Sequence, residues 1–148
     1  MKGSLRALEV SLSKHPDALH YFNLQFLDDG PSLMRVSAAG VWFRSNVLGI
    51  PFGDQGFCLS REKFERLGEF SESAAYGEDH LLIWKAKEQG IAIQSTRSIL
   101  KTSARKYRRK GWGSTTLEHG CLTWRQGIPE CLKLIRARIL SRLKSLDR

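Results

Sequence analysis

Two segments decide how this chain folds: GDQGFCLSR at residues 53–61 and GEDHLL at residues 77–82. In the first segment, the apolar run Gly56–Leu59 predicts a short buried strand. Ser60 is a preferred N-cap residue, so it predicts a helix over Arg61–Leu67. The segment therefore predicts an acidic turn, a strand and a capped helix in close succession.

The second segment predicts the most regular helix of the chain. Two adjacent carboxylates, Glu78 and Asp79, open a helical pattern that runs through Gln89, and Gly90 ends it. Lysines fall near the end of this pattern, which complements the helix dipole. Both segments place acidic groups at the ends of elements, where functional sites are usually built.

The rest of the chain alternates between helical and strand-like patterns. The pair Asp28 and Asp29, followed by glycine and proline, predicts a turn rather than a metal site. Residues 69–76 predict an irregular loop, and residues 103–113 predict a basic stretch that stays exposed. The predicted helices are Ser4–Lys14, Pro31–Val47, Thr115–Arg125 with an interruption at Gly120, and Pro129–Leu146, and the predicted strands are Leu19–Leu27, Ile91–Gln94 and Ser98–Thr102.

Length and composition bound the domain organisation. With 148 residues, of which 41% are hydrophobic, the chain is long enough for one domain with a core. We expect this domain at residues 1–128 and a basic amphipathic helix at residues 129–148. The sequence shows no run of about 18 apolar residues and no N-terminal apolar leader, so we expect a cytoplasmic protein. The spacing of Cys58, Cys121 and Cys131 is typical of core thiols in a reducing compartment.

The formal net charge of +9 is concentrated at the end of the chain. Residues 1–100 contain 11 Lys and Arg against 12 Asp and Glu, whereas residues 101–148 contain 13 against 3. The last third therefore carries +10 and the rest carries −1. This asymmetry predicts an anionic partner for the last third: a phosphate-bearing substrate, a lipid surface or a nucleic acid.

The acidic pair Glu78 and Asp79 is the first candidate for chemistry. Such a pair either complements the helix dipole or supplies a general base for an incoming hydroxyl. Because adjacent helical residues point about 100° apart, we expect one of the two to act and the other to be structural. Asp54 and Gln55, between two glycines, likewise form either a turn or hydrogen-bonding groups for a hydroxyl-rich ligand.

Taken in order, these segments resemble the C-terminal half of an inverting glycosyltransferase of family 2 with the A-type fold. The resemblance extends over roughly residues 5–127 and is greatest to the branch named for arsenosugar biosynthesis. An acidic pair by itself is common, whereas this ordered set is fairly specific to the family. The matching segments are PFGDQG at residues 51–56, REKFERLGEF at residues 61–70, Glu78 with Asp79, and TSARK at residues 102–106.

The resemblance implies an α/β fold in which a small mixed sheet flanked by helices forms part of the A-type glycosyltransferase fold. Asp79 matches the position of the catalytic base that deprotonates the acceptor hydroxyl, and Glu78 would support it or bind the acceptor. Asp54 and Gln55 would lie beside the acceptor or the donor sugar. The implied partners are a nucleotide-sugar and a hydroxyl acceptor. Four basic residues would meet the diphosphate or an anionic acceptor, or else form a solvated loop: Arg105, Lys106, Arg108 and Arg109.

Two features of the family are not found in this sequence. In the family, nucleotide-binding strands and a D-x-D metal motif precede the matching region, whereas Asp28 and Asp29 lie inside it. Thr102 and Ser103 stand where some members have a metal-ligand histidine. We therefore expect a fragment, a truncated gene or a half completed by another chain. We expect no metal bound by this half alone, Mg²⁺ or Mn²⁺ in the complete enzyme, and a homo-oligomer or a partner chain that completes the sheet.

Two alternatives to an enzyme remain open. One is a binding or assembly module that keeps the acceptor groove without the chemistry. The other is a polyanion or membrane-surface binder that uses the amphipathic helix after Pro129, which otherwise packs on the core of the domain. Tyr107, Trp112 and Trp124 lie near the basic run and permit base stacking, but no nucleic-acid motif surrounds them, so nucleic acid is not the expected partner.

Overall fold

The computed structural model describes residues 2–70 and 77–146 and shows a mixed α/β architecture. Its centre is a three-stranded sheet formed by β1 (Leu19–Phe26), β2 (Phe57–Cys58) and β3 (Ile93–Thr102) in the order β2-β1-β3. β1 pairs antiparallel with β2 and parallel with β3. The expected class, a small mixed sheet flanked by helices, is therefore confirmed.

The helices follow most of the predicted patterns. Ser60 caps its helix as predicted, because its Oγ accepts a hydrogen bond from the Lys63 backbone N–H at 3.3 Å. The loop predicted at residues 69–76 falls mostly outside the described residues. The helices are α1 (Lys2–Lys14), α2 (Met34–Asn46), α3 (Arg61–Arg66), α4 (Glu78–Glu88), α5 (Arg105–Lys110) and α6 (Trp112–Leu146), and a single 3₁₀ turn spans Gly53–Gln55.

The core forms where α3 and α4 pack on the sheet. Ile83 of α4 and Leu19 of β1 are fully buried. Burial of apolar side chains is the main source of stability in a domain of this size. α1 is fixed to the sheet by the buried His20, whose Nδ1 lies 2.9 Å from Ser11 Oγ and whose Nε2 lies 2.9 Å from the His15 carbonyl oxygen. The buried core comprises Leu19, Leu67, Leu82, Ile83, Ala86 and Ile91.

The strands predicted separately at Ile91–Gln94 and Ser98–Thr102 form one strand, β3, which corrects the prediction. The register against β1 shifts between Tyr21 and Asn23, and Arg97 of β3 adopts a left-handed φ of 59°. The polar residues that suggested a break therefore form a bulge. Pairing with β1 continues on both sides of it, which keeps the strand intact.

The end of the chain is more helical than predicted. Part of residues 103–113, predicted as a basic stretch that stays exposed, forms the helix α5, whose basic residues are exposed, in line with the helix propensity of Arg and Lys. The helices predicted at Thr115–Arg125 and Pro129–Leu146 form the single helix α6. Gly120 does not interrupt this helix, and Pro129 lies inside it. Proline removes one backbone hydrogen bond of a helix, and the other turns of this long helix offset that loss. α6 also crosses the expected domain boundary.

Candidate functional site

A cavity of about 300 Å³ opens at the N-terminal end of α4. Glu78, Asp79 and His80, the first three residues of α4, line it. Their side chains point about 100° apart around the helix axis, and all three can reach the cavity because it lies at the end of that axis. The turn before β2 and the helix α6 supply the other walls. The lining residues are Phe52, Gly77, Glu78, Asp79, His80, Thr123 and Gln126.

Asp79 is held at the cavity wall by the backbone of the acidic turn. Its Oδ2 accepts a hydrogen bond from the Gly53 N–H at 2.5 Å. A Cβ at position 53 would lie 2.9 Å from the same oxygen, so glycine permits this close approach. Within the described part of the chain, Asp79 Oδ1 accepts no hydrogen bond. Glu78 is exposed and also borders the cavity, so both acids reach the site.

Arg44 of α2 places a positive charge behind these acids. Its guanidinium stacks on the Phe52 ring with Cζ 3.4 Å from the ring centroid, and it donates a hydrogen bond to the Ile50 carbonyl oxygen. Burial lowers the pKa of Arg44 to about 10, and the negative charges of Asp54 and Asp79 act in the opposite direction. Arg44 is therefore a cation at neutral pH and stabilises both carboxylates.

Asp54 belongs to the same electrostatic cluster. Part of its side chain meets solvent, yet protein atoms crowd the carboxyl group, and this desolvation raises the pKa of Asp54. Arg44 lowers that pKa and the neighbouring charge of Asp79 raises it. Asp54 and Asp79 are thus two carboxylates that share one cation.

Gln55 has a different place from its neighbour, because it is buried with its amide bonded inside the chain. Its Oε1 accepts hydrogen bonds from Ser45 Oγ at 2.7 Å and from the Phe52 N–H at 3.2 Å. Its Nε2 donates to the Phe22 carbonyl oxygen at 3.0 Å. Gln55 therefore links the turn at residues 53–55 to β1 and α2. A direct contact between Gln55 and a sugar stays a prediction, and this geometry does not favour it because both ends of the amide are already hydrogen-bonded.

His80 forms a buried polar chain with residues on two helices. The indole N–H of Trp84 donates to His80 Nε2 at 2.9 Å, so that nitrogen carries no proton. The proton then lies on Nδ1, which donates to Gln126 Oε1 at 3.2 Å. Burial lowers the pKa of His80, in agreement with this neutral form, although the hydrogen bond with Gln126 acts to raise it.

The four predicted basic residues lie on α5, where all four are exposed, and none is among the described residues that line the cavity. Arg105 Nε donates to Ser103 Oγ at 3.0 Å and lies 3.7 Å from Asp29 Oδ2. Lys106 Nζ lies 2.8 Å from His119 Nε2. A contact of these four residues with a diphosphate stays a prediction.

The turn at Asp28 and Asp29 is confirmed, and it has a structural role. Asp29 Oδ1 accepts from the Ala104 N–H at 2.7 Å, and Oδ2 accepts from Ser103 Oγ at 2.6 Å. These bonds hold the pKa of Asp29 below its usual range and fix the chain just before α5. Across residues 2–70 and 77–146, no three His, Cys, Asp or Glu side chains converge as metal ligands.

Sequence reasoning missed Arg44, His80 and Gln126. Arg44 had a usable signal, since it is the one charged residue between Arg35 and Asp54. His80 directly follows the acidic pair. Gln126 had no local signal, because its approach to His80 depends on how α6 packs against α4.

Comparison of the chain with family models, curated proteins and solved structures found no match.

Among the helices in the described residues, none combines the length and the apolar character needed to cross a membrane. The site is therefore interpreted from its own geometry together with the resemblance of its segments.

Proposed function

We propose that this chain is the acceptor-side part of a glycosyltransferase-like protein with the A-type fold. In this proposal it catalyses inverting transfer of a sugar from a nucleotide donor to an acceptor hydroxyl when a nucleotide-binding part is supplied. The observation that carries the proposal is the position of Asp79. Its carboxylate is half-buried, fixed by Gly53, and placed on the wall of a cavity of about 300 Å³.

Asp79 has the geometry of a general base. One oxygen is occupied by the Gly53 N–H, and we assign the acceptor hydroxyl to Oδ1, which accepts no hydrogen bond within the described residues. In the proposed step, Oδ1 takes the hydroxyl proton while the acceptor oxygen bonds to the anomeric carbon and the bond to the leaving diphosphate breaks. Arg44 places a buried positive charge near this carboxylate and acts through its charge rather than through direct contact with substrate.

The other lining residues suit a hydroxyl-rich acceptor. Phe52, whose ring also carries the stacked Arg44, forms an apolar part of the wall, and Glu78 and Thr123 offer polar groups around the same space. The described residues contain no cluster of three metal ligands. A divalent ion, Mg²⁺ or Mn²⁺, would neutralise the donor diphosphate in the complete enzyme, and its ligands would belong to the nucleotide-binding part.

A chimera tests the proposal. Residues 5–127 replace the matching segment of a family 2 glycosyltransferase that retains its own nucleotide-binding half. Release of nucleoside diphosphate from a sugar nucleotide is measured with and without acceptor. Asp79→Asn is compared with the unsubstituted chimera, and nucleotide binding reports that the donor half has folded.

We expect Asp79→Asn to lower turnover by at least about 100-fold, the scale of general-base catalysis, with nucleotide binding retained. A folded chimera that turns over equally well with Asn at position 79 contradicts the role of Asp79. A chimera that binds nucleotide but shows no turnover in either form favours the second candidate, the assembly module.

The second candidate is favoured by the exposed edge of the sheet. β3 is ten residues long, and no described strand pairs with its outer edge. Ile99 and Leu100 of β3 are also exposed. An unpaired edge of this kind is a template for pairing with another chain, so a homo-oligomer or a partner chain is expected. A monodisperse monomer in light scattering at micromolar concentration would contradict that expectation.

A further inference from the structure

An apolar stripe runs along the solvent side of α6. Leu117, Ile128 and Ile139 repeat at intervals of 11 residues, and Trp124 and Ile135 repeat at the same interval. These five side chains are between 48% and 70% exposed. Because 11 residues make close to three helical turns, the stripe stays on one face of the helix. With 35 residues, α6 is about 52 Å long.

The domain packs against sides of α6 that lie about 90° or more from the centre of the stripe. Thr115 is fully buried, and a Cβ at Gly127 would lie 3.6 Å from the His80 ring. Residues 135–140 are all exposed, although Arg138 still borders a cavity lined by Lys87 and Ile91 of the domain. The alternative expectation, that the helix after Pro129 packs its apolar side on the core, is corrected, because Leu132, Ile135 and Ile139 are exposed.

Positive charge borders the stripe. Arg125 and Arg136 lie on one side of it and Arg138 on the other, all within about 90° of its centre. α6 contains six Lys and Arg residues against two Glu residues. Of those two acids, Glu130 is half-buried and pairs with Lys133 at 2.6 Å. The other acid, Glu118, is exposed on the same side as Arg125 and Arg136, so the described charges that border the stripe are three arginines against one glutamate.

We propose that α6 is a membrane-surface helix that lies in the plane of an anionic lipid headgroup layer, with the stripe toward the acyl chains. Apolar residues with Trp on one side and basic residues beside them are the features of such helices. Anionic headgroups neutralise Arg125 and Arg136 beside the stripe. A second copy on the same stripe would instead bring like charges together, which disfavours a homodimer through this face. The proposal does not depend on the role of Asp79.

Flotation of the full chain with lipid vesicles tests the proposal. One set of vesicles contains phosphatidylcholine alone, and the other contains about 30% phosphatidylglycerol. Ile139→Gln removes one apolar side chain from the stripe. Ala137→Gln adds the same side chain on the opposite side of the same turn and is the matched control. Both positions are exposed, so neither substitution disturbs the core.

We expect binding to the anionic vesicles only, weakened about tenfold or more by Ile139→Gln and unchanged by Ala137→Gln. Emission from Trp124 shifts to the blue on binding, and Trp124→Phe removes that shift. Added salt weakens binding because the flanking charges are screened. Equal binding of the two glutamine variants would mean a purely electrostatic contact and would overturn the proposal. Failure to bind vesicles would also overturn the proposal, whether or not the chain forms a dimer that Ile139→Gln dissociates.

Discussion

The Asp79 carboxylate and the Gly53 backbone join the two segments of the chain that carry the acidic residues. The hydrogen bond from the Gly53 N–H to Asp79 Oδ2 spans 26 residues and fixes the acidic turn against the start of α4. It makes one end of a helix and one tight turn into a single wall of the cavity. The structural role of Asp79 is therefore separable from the catalytic role proposed for it, because the hydrogen bond from Gly53 needs an acceptor oxygen but no negative charge.

Asp79→Ala should destabilise the fold by about 1 kcal/mol, since the Gly53 N–H loses its acceptor. Asp79→Asn keeps an acceptor oxygen and should cost less than half as much. Urea unfolding of the two variants measures the difference. Equal free energies of unfolding for the two variants would show that this hydrogen bond does not hold the turn.

Gln55→Ala should cost about 3 kcal/mol in the free energy of unfolding, because three hydrogen bonds to buried groups are lost together. The neighbouring substitution Asp54→Asn is the control. Desolvation raises the pKa of Asp54, so its charge is unfavourable in the folded state at neutral pH, and Asn should leave stability equal or slightly higher. If Gln55→Ala were as harmless as Asp54→Asn, the positioning role of Gln55 would be wrong.

Gly77→Ala should cost about 1–2 kcal/mol more than Gly90→Ala. Both glycines have positive φ, 73° and 72°, so the backbone strain is matched. A Cβ at position 77 would lie 2.4 Å from Gln126 Oε1, whereas position 90 is open. Thermal or urea unfolding gives the comparison. In a Gln126→Ala background the extra cost should disappear, and its persistence would place the clash elsewhere.

Acidification should weaken the fold through His80. Burial holds the folded-state pKa below the ordinary value of 6.5, so the unfolded state takes up its proton first as the pH falls. The stabilising contribution is fully present above about 6.5 and is lost between that value and the folded-state pKa. His119 shifts in the same direction, mainly through burial.

Urea unfolding at several pH values between about 5.5 and 7.5 measures this effect. His80→Asn should reduce the dependence on pH, and His119→Asn should reduce it by a separate amount. A free energy of unfolding that rises on acidification across this range would contradict the buried, neutral form of His80.

The sequence predicted those elements that are stabilised by interactions between residues close together in the chain. The cap at Ser60 and the acidic opening of α4 depend on residues three or four positions apart, so both were visible in the sequence. The position of Asp79 at the start of α4 was predicted for the same reason. The turn containing Asp54 and Gln55 was also located correctly.

The remaining features depend on contacts between distant segments. The two residues of that turn looked equivalent in the sequence, but only Gln55 is buried, because α2 and β1 supply its hydrogen-bond partners. Arg44 reaches the acids only after α2 packs beside them. The periodicity of α6 predicted an amphipathic helix correctly, but periodicity alone does not determine which side faces the domain.

The measurement that tests the central claim most directly is an amide NMR titration of the ¹⁵N-labelled chain. The ligands are simple sugars, their methyl glycosides, and uridine, guanosine and cytidine diphosphates with and without Mn²⁺. An acceptor site at Asp79 predicts sugar-dependent shifts at Gly53, Asp79 and His80 that Asp79→Ala weakens. No shift around this cavity with any sugar or nucleotide would contradict the claim that it is the acceptor site of a glycosyltransferase.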